Sequence, residues 1–153
     1  MEIPETGRLG GIDFGTVRVG VAICDQTQSI ASPLEVYTRR SEKLDAQYFI
    51  ELARQEAIVG WVIGLPLHMS GDESQKSGQA RAFGKWLSDV TASPVVFHDE
   101  RLTTAHAREL LGQASVSGRK KKSKLDKLAA QILLSSFLES SRHARQNRPL
   151  DDK

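Results

Sequence analysis

Between Arg8 and Asp25 the chain is dominated by β-branched and apolar residues, broken at Gly15-Thr16. Two strands, Arg8 to Phe14 and Val17 to Asp25, joined by a tight glycine-pivoted reversal satisfy that pattern, so an antiparallel hairpin is expected there. Asp13 stands at the end of the first strand, immediately before the turn. An acid in that place meets the edge of a sheet, where a metal ion or a phosphate can be held.

The rest of the chain says what the hairpin joins. Ile30 to Tyr37 reads as a third strand, and Pro33 assigns it an edge or strand-entry position. Ser41 caps a helix running to about Glu56, with Glu42 and Asp45 in its first turn. Ile58 to Gly64 is a short apolar run of the kind buried on both faces of a sheet. Pro66 to Lys76 is polar and reads as a loop. A helix follows, with Ala80, Phe83, Leu87 and Val90 along one stripe. Pro94 to His98 is a further buried strand that ends at Asp99-Glu100-Arg101. Thr103 or Thr104 caps a short helix through Leu111. The basic run Arg119 to Lys124 reads as a loop, and the last helix spans about Lys124 to Ser140.

Three strands in meander followed by strand–helix alternation imply an α/β fold. Its core is a five-stranded mixed sheet, an antiparallel meander plus two parallel strands, with helices on both faces. The first strand then lies beside the fourth. Asp13 and the loops after Gly64 and His98 meet at one sheet edge, where α/β proteins place their sites. One domain over residues 8–141 is expected, with flexible termini at 1–7 and 142–153.

Composition narrows the function classes. A length of 153 residues suits one domain, and 39% hydrophobic with 26% charged residues is a globular balance. The longest mostly apolar run, Ala57 to Leu67, carries two glycines and a proline and falls short of the roughly 20 residues of a membrane span. The first residues lack the pattern of a signal peptide, and a cytoplasmic, soluble protein is expected. Cys24 is the one cysteine, so neither an internal disulfide nor a cysteine-based zinc site can form. The four histidines share no ligand spacing. Net charge is only +2, yet Arg119, Lys120, Lys121, Lys122 and Lys124 sit within six residues and leave the remainder net negative. Such a segment either contacts phosphate or is a solvated connector.

Three carboxylates are candidates for one site: Asp13, Glu100 after the fifth strand, and Asp126 in the first turn of the last helix. Lys127 to Leu134 is mostly apolar, so that helix packs closely on the sheet. Ala129 and Ala130, three and four positions beyond Asp126, permit the approach. Converging carboxylates supply the oxygen ligands that hard divalent cations require. Two such ions roughly 4 Å apart support phosphodiester cleavage. Each acid also has a purely structural reading: Asp13 as a turn former, Glu100 as an ion-pair partner of Arg101, Asp126 as a charge on the helix dipole. His98 suits either a satisfied rim position or a proton relay near Glu100. Trp61 and Trp86 fall within apolar elements and read as packing residues.

Four segments carry a resemblance. Gly11-Ile12-Asp13-Phe14-Gly15-Thr16-Val17-Arg18-Val19-Gly20-Val21-Ala22 resembles the opening motif of the YqgF (RuvX) family of RNase H-like nucleases. Gly64 to Gly71 resembles its loop after the fourth strand. Asp99-Glu100-Arg101-Leu102-Thr103-Thr104 resembles its most distinctive motif, and Lys122 to Leu133 its closing helix. The four occur in family order over residues 9–138, with Phe137 where an aromatic, often tyrosine, is usual. The resemblance implies an RNase H-like fold and a magnesium- or manganese-dependent nuclease acting on the 5′ end of precursor 16S ribosomal RNA, with pre-ribosomal particles as partners. Earlier descriptions of the family, by analogy with RuvC, imply branched DNA as substrate instead. Asp13, Glu100 and Asp126 then hold two metal ions, with Asp13 between them. Gly15, Arg18 and Arg101 are implied phosphate contacts, and Arg119, Lys120, Lys121 and Lys122 grip the backbone.

Two other classes remain to be separated from this one. Actin-like ATPases share the Asp-x-Gly-Thr phosphate loop but close two such domains around a nucleotide and need more than twice this length. A nucleic-acid-binding or ribosome-assembly module with vestigial chemistry is the other, and the intact acid trio argues against it.

Overall fold

The computed structural model describes residues 2–102 and 118–147, with side chains described for 2–101 and 127–147. Five strands, β1 (Arg8–Asp13), β2 (Arg18–Cys24), β3 (Ala31–Thr38), β4 (Ile58–Leu65) and β5 (Val95–Asp99), form one sheet in the order β3-β2-β1-β4-β5. The pairs β1–β2 and β2–β3 are antiparallel, while β1–β4 and β4–β5 are parallel. The parallel strands are reached through helices α1 (Glu42–Gln55) and α2 (Gln75–Thr91). A 3-10 turn over Glu100–Leu102 follows β5, and α3 (Gly118–Gln146) closes the described chain. The expected mixed sheet, with β1 beside β4 and β3 at an edge, is the one observed.

Local signals explain most boundaries. The Ser41 side chain accepts from Leu44 N at 3.2 Å and starts α1. Ser74 and Ser77 bond reciprocally, Ser77 N to Ser74 Oγ at 3.0 Å and Ser74 N to Ser77 Oγ at 2.7 Å, and start α2 with a complete capping box. Three boundaries differ from expectation. The hairpin turn spans four residues, Phe14 to Val17; Val17 is 65% exposed, and its carbonyl accepts Arg39 N at 2.9 Å, next to the Arg18–Thr38 pair of β2 and β3. The basic segment Arg119 to Lys124 is no loop. It belongs to α3, because Lys and Arg are strong helix formers and no Gly or Pro follows Gly118 to break the helix. α3 also continues past Ser140 to Gln146, where Arg145 Nη1 reaches Glu5 O at 3.3 Å. Beside the N-terminus, buried Gln28 donates to Pro4 O at 2.9 Å and Gly7 O at 3.0 Å. The helix expected from Thr103 or Thr104 to Leu111 lies outside the described residues. Among the described residues, no helix is long and apolar enough to cross a membrane.

The sheet separates two cores by strict alternation. Ile12, Val19, Val21, Trp61 and Ile63 face α1 and α2, where they meet Phe49, Leu52, Phe83 and Leu87. Leu9, Ala22, Cys24 and Val62 face α3 and meet Ala130, Leu134 and Leu138. Asp13 falls on the parity of Leu9 and Gly11. It therefore ends β1 on the face that α3 covers.

Candidate active site

The C-terminal ends of β1, β4 and β5 converge because these strands are parallel, and this edge carries a cleft of about 640 Å³. Asp13, Phe14, Gly15, Thr16, Val17 and Arg18 line it from the hairpin, and Glu100 lines it from the turn after β5. Pro66, Gln75, Lys76 and Gln79 complete it. Asp13 and Glu100, 87 positions apart in the sequence, thus share one cavity.

Two glycines set the spacing. A Cβ on Gly64 would lie 2.7 Å from both Cγ and Cδ of Glu100, so only glycine lets that acid lie across β4. A Cβ on Gly11 would lie 2.9 Å from Leu134 Cβ and 3.2 Å from Ala130 O, so only glycine lets α3 approach β1 this closely. α3 passes Gly11 at Ala130 and reaches Glu5 at Arg145, so it runs antiparallel to β1. Asp126 is one turn, ~6 Å, before Ala130, and Asp13 is two residues, ~6.6 Å, beyond Gly11. The backbone of Asp126 therefore stands level with the strand ends that carry Asp13. Its side chain, and those of Arg119 to Lys122, lie outside the described ones. Among the described residues, no group of three His, Cys, Asp or Glu is arranged to hold a metal ion.

The structure redistributes three further roles. Glu100 is not the ion-pair partner of Arg101; Asp99 is. Arg101 Nη2 donates to Asp99 Oδ2 at 2.6 Å, and Nε contacts both carboxylate oxygens at 3.0 and 2.9 Å. That guanidinium holds the Asp99 carboxyl below the usual range. His98 Nε2 meets Ser136 Oγ at 2.9 Å and its ring lies edge-on to Phe137, the satisfied rim position. Burial pushes the His98 imidazole down, against the opposing pull of Asp99, and keeps it neutral at pH 7. Trp61 is buried and donates to Thr91 Oγ1 at 3.1 Å, as a packing residue does. Gln75, Lys76 and Gln79 were not singled out in the sequence. The signal for them was the apolar stripe of α2, because burying Ala80, Phe83 and Leu87 turns these polar positions outward at the helix start.

A mixed sheet of this order with a carboxylate at the end of its first strand is the frame of RNase H-like proteins. The yeast mitochondrial Holliday junction resolvase has this fold, with a TM-score of 0.61 at 12% identity over 96% of this chain and 84% of the other. RuvC from Thermus thermophilus, solved with a Holliday junction substrate, matches with a TM-score of 0.53 at 15% identity, covering 89% and 96%. The RuvX family model, described as Holliday junction resolvase, matches residues 7–140, and the chain belongs to that family. A relative from Rhodopirellula baltica is 49% identical over 92% of this chain and 81% of its own, and one from Symbiobacterium thermophilum 37% identical over 93% and 96%. Both carry the name "putative pre-16S rRNA nuclease".

Proposed function

We propose that this chain is a metal-dependent nuclease that hydrolyses phosphodiester bonds at the Asp13–Glu100 cleft, with the 5′ end of precursor 16S ribosomal RNA as substrate, in the cytoplasm on pre-ribosomal particles. The observation that carries this reading is the meeting of Asp13 and Glu100 in one cleft that also presents Lys76. The name shared by the relatives supports the RNA substrate. The donor set fits a hard divalent cation, magnesium or manganese, since it is all carboxylate. Asp13 and Glu100 would hold it, with Asp126 as the third ligand. Such an ion supplies charge neutralisation and an activated water for phosphodiester hydrolysis. Within the protein, β1 and the Gly64 contact fix the two acids, and Lys76 offers an ammonium to a phosphate oxygen. Arg18 adds a second cation on the cleft wall. Arg119 to Lys122, whose backbone forms the first turns of α3, are the further phosphate contacts of this reading.

Asp13→Asn keeps the side-chain volume and removes the charge. It is expected to lower magnesium-dependent cleavage of a precursor 16S RNA fragment by roughly a hundredfold or more, the scale of several kcal/mol of lost charge stabilisation, with an unchanged melting temperature. Cleavage at the wild-type rate overturns the reading. The family description favours a second substrate, branched DNA, so the same assay with a four-way DNA junction decides between them. Replacing Lys120, Lys121 and Lys122 by Gln is expected to flatten the salt dependence of RNA binding, by up to about one unit of slope for each lost phosphate contact.

A further inference from the structure

The Arg101 guanidinium is committed on two sides. Its Nε and Nη2 engage the Asp99 carboxylate, and its Nη1 donates to Met69 O at 3.1 Å and, more weakly, to His68 O at 3.4 Å. The Arg101 amide also donates to Asp99 Oδ1 at 2.9 Å, which fixes the carboxylate over the turn. Bidentate recognition of a phosphate uses two neighbouring N–H groups on one edge of the fork. One edge is taken by Asp99, and the other includes the Nη1 that holds the loop carbonyls.

The segment that Arg101 holds is a closed unit. His68 N donates to Asp72 O at 2.9 Å and Gly71 N to His68 O at 2.8 Å, with Gly71 at φ +92° completing the turn. At its far end the Ser74 hydroxyl donates to Pro66 O at 2.7 Å while its oxygen caps α2. A grip on the carbonyls of residues 68 and 69 is therefore passed to the start of α2, the wall that carries Lys76. Arg101 itself follows Glu100, on the acid wall.

We propose that Asp99 and Arg101 form a latch between the β5 turn and the β4–α2 loop, which sets the separation of the cleft's acid wall from its Lys76 wall. Asp99 and Arg101 are thus positioning residues, and Arg101 does not bind substrate phosphate. The inference rests on the nuclease reading only for the RNA-binding arm of its test; the loop readout is independent of it.

The experiment is a double-mutant cycle with Asp99→Ala, Arg101→Ala and the pair in the full chain, read by amide hydrogen exchange over residues 66–74 and by RNA binding at several salt concentrations. A latch gives both single variants the same result, exchange about five- to tenfold faster in that segment, and the double variant no more than either one. The salt slope of binding then stays at the wild-type value in Arg101→Ala. Arg101→Lys, which keeps the charge but not the fork, behaves as Arg101→Ala in exchange. The proposal is overturned if Asp99→Ala tightens RNA binding while Arg101→Ala weakens it with a lower salt slope, because Arg101 is then a phosphate contact that Asp99 restrains. Unchanged exchange in both single variants overturns it as well. Inactive wild-type protein with accelerated loop exchange in the variants would remove the nuclease reading and leave the latch standing.

Discussion

The two faces of the sheet are built on opposite principles. The face toward α1 and α2 is filled by large rings: Phe49 lies 4.9 to 6.2 Å, centroid to centroid, from Tyr37, Tyr48, Trp61, Phe83 and Trp86, edge-on to each. The face toward α3 has aliphatic side chains, Leu9, Val62, Leu134 and Leu138, and small residues, Gly11, Ala22, Ala31 and Ala130, where helix and sheet meet. Rings bury much area and tolerate a spacing of one ring thickness. Small residues bury little but let backbone approach backbone. Asp13 lies on the second face, which implies that one side of the sheet supplies most of the stability and the other the precision of the site.

The largest effect tests the first half of that contrast. Phe49 is fully buried at the hub of the aromatic cluster, and Phe49→Ala is expected to cost about 3–5 kcal/mol of stability. Measured by urea unfolding, it should leave the cleavage rate per folded molecule near wild type. A rate that falls in step with stability would show that the faces are not separable.

Gly11→Ala tests the other half. The added methyl meets a side-chain stem and a helix carbonyl, neither of which can swing aside, and overpacking of this kind costs about 1–3 kcal/mol. Alanine recovers about 0.5–1 kcal/mol of the entropy penalty of a strand glycine, so a net loss of about 1–2 kcal/mol is expected. Cleavage should fall further than the stability change accounts for, because α3 is pushed away from the edge at which Asp126 stands. Full activity in a destabilised Gly11→Ala protein would mean that close helix approach does not serve the site.

Much of this arrangement was legible in the sequence, for identifiable reasons. Alternation and continuous apolar runs located all five strands, and the order of the elements placed β1 beside β4, because parallel strands need helical crossovers. Ser41 announced α1 by its capping chemistry. The start of α3 was not legible, because a run of lysines has the charge of a solvated loop and the propensity of a helix at once. Nor was the pairing of Asp99 with Arg101 in place of Glu100 with Arg101. Neighbouring acids on one turn differ only in which side of the strand end they occupy, and Gly64 decides that by leaving room for Glu100. The Met69 and His68 carbonyls that complete the Arg101 contacts lie more than 30 residues away and carry no side-chain signature at all.

The smallest effect separates the faces by their response to acid. Asp45 is 1% exposed beneath the aromatic face and accepts from Tyr37 Oη at 2.6 Å, Arg40 N at 2.9 Å and Arg39 Nε at 3.4 Å. Burial pushes its carboxyl up, but the donors outweigh burial and hold it below the usual value of 3.8. A group depressed on folding contributes stability that is complete above its unfolded pKa of about 3.9. That contribution is lost as the pH falls through the lower folded value, since the unfolded chain then binds the proton more readily. Asp45→Asn keeps an oxygen for Tyr37 and forfeits the charge, and it is expected to cost about 1 kcal/mol at pH 7. The gap between wild type and variant should shrink at pH 3, as read from urea midpoints at the two pH values. If it persists undiminished, folding does not depress the Asp45 carboxyl, and its donors only offset its burial. The Arg39 guanidinium also lies over two rings, 5.4 Å from the Phe14 centroid and 5.5 Å from that of Phe83, so its charge has partners besides Asp45. Phe14 packs on Phe83, 4.9 Å between ring centroids, and lines the cleft beside Asp13, so the aromatic face touches the site through that ring.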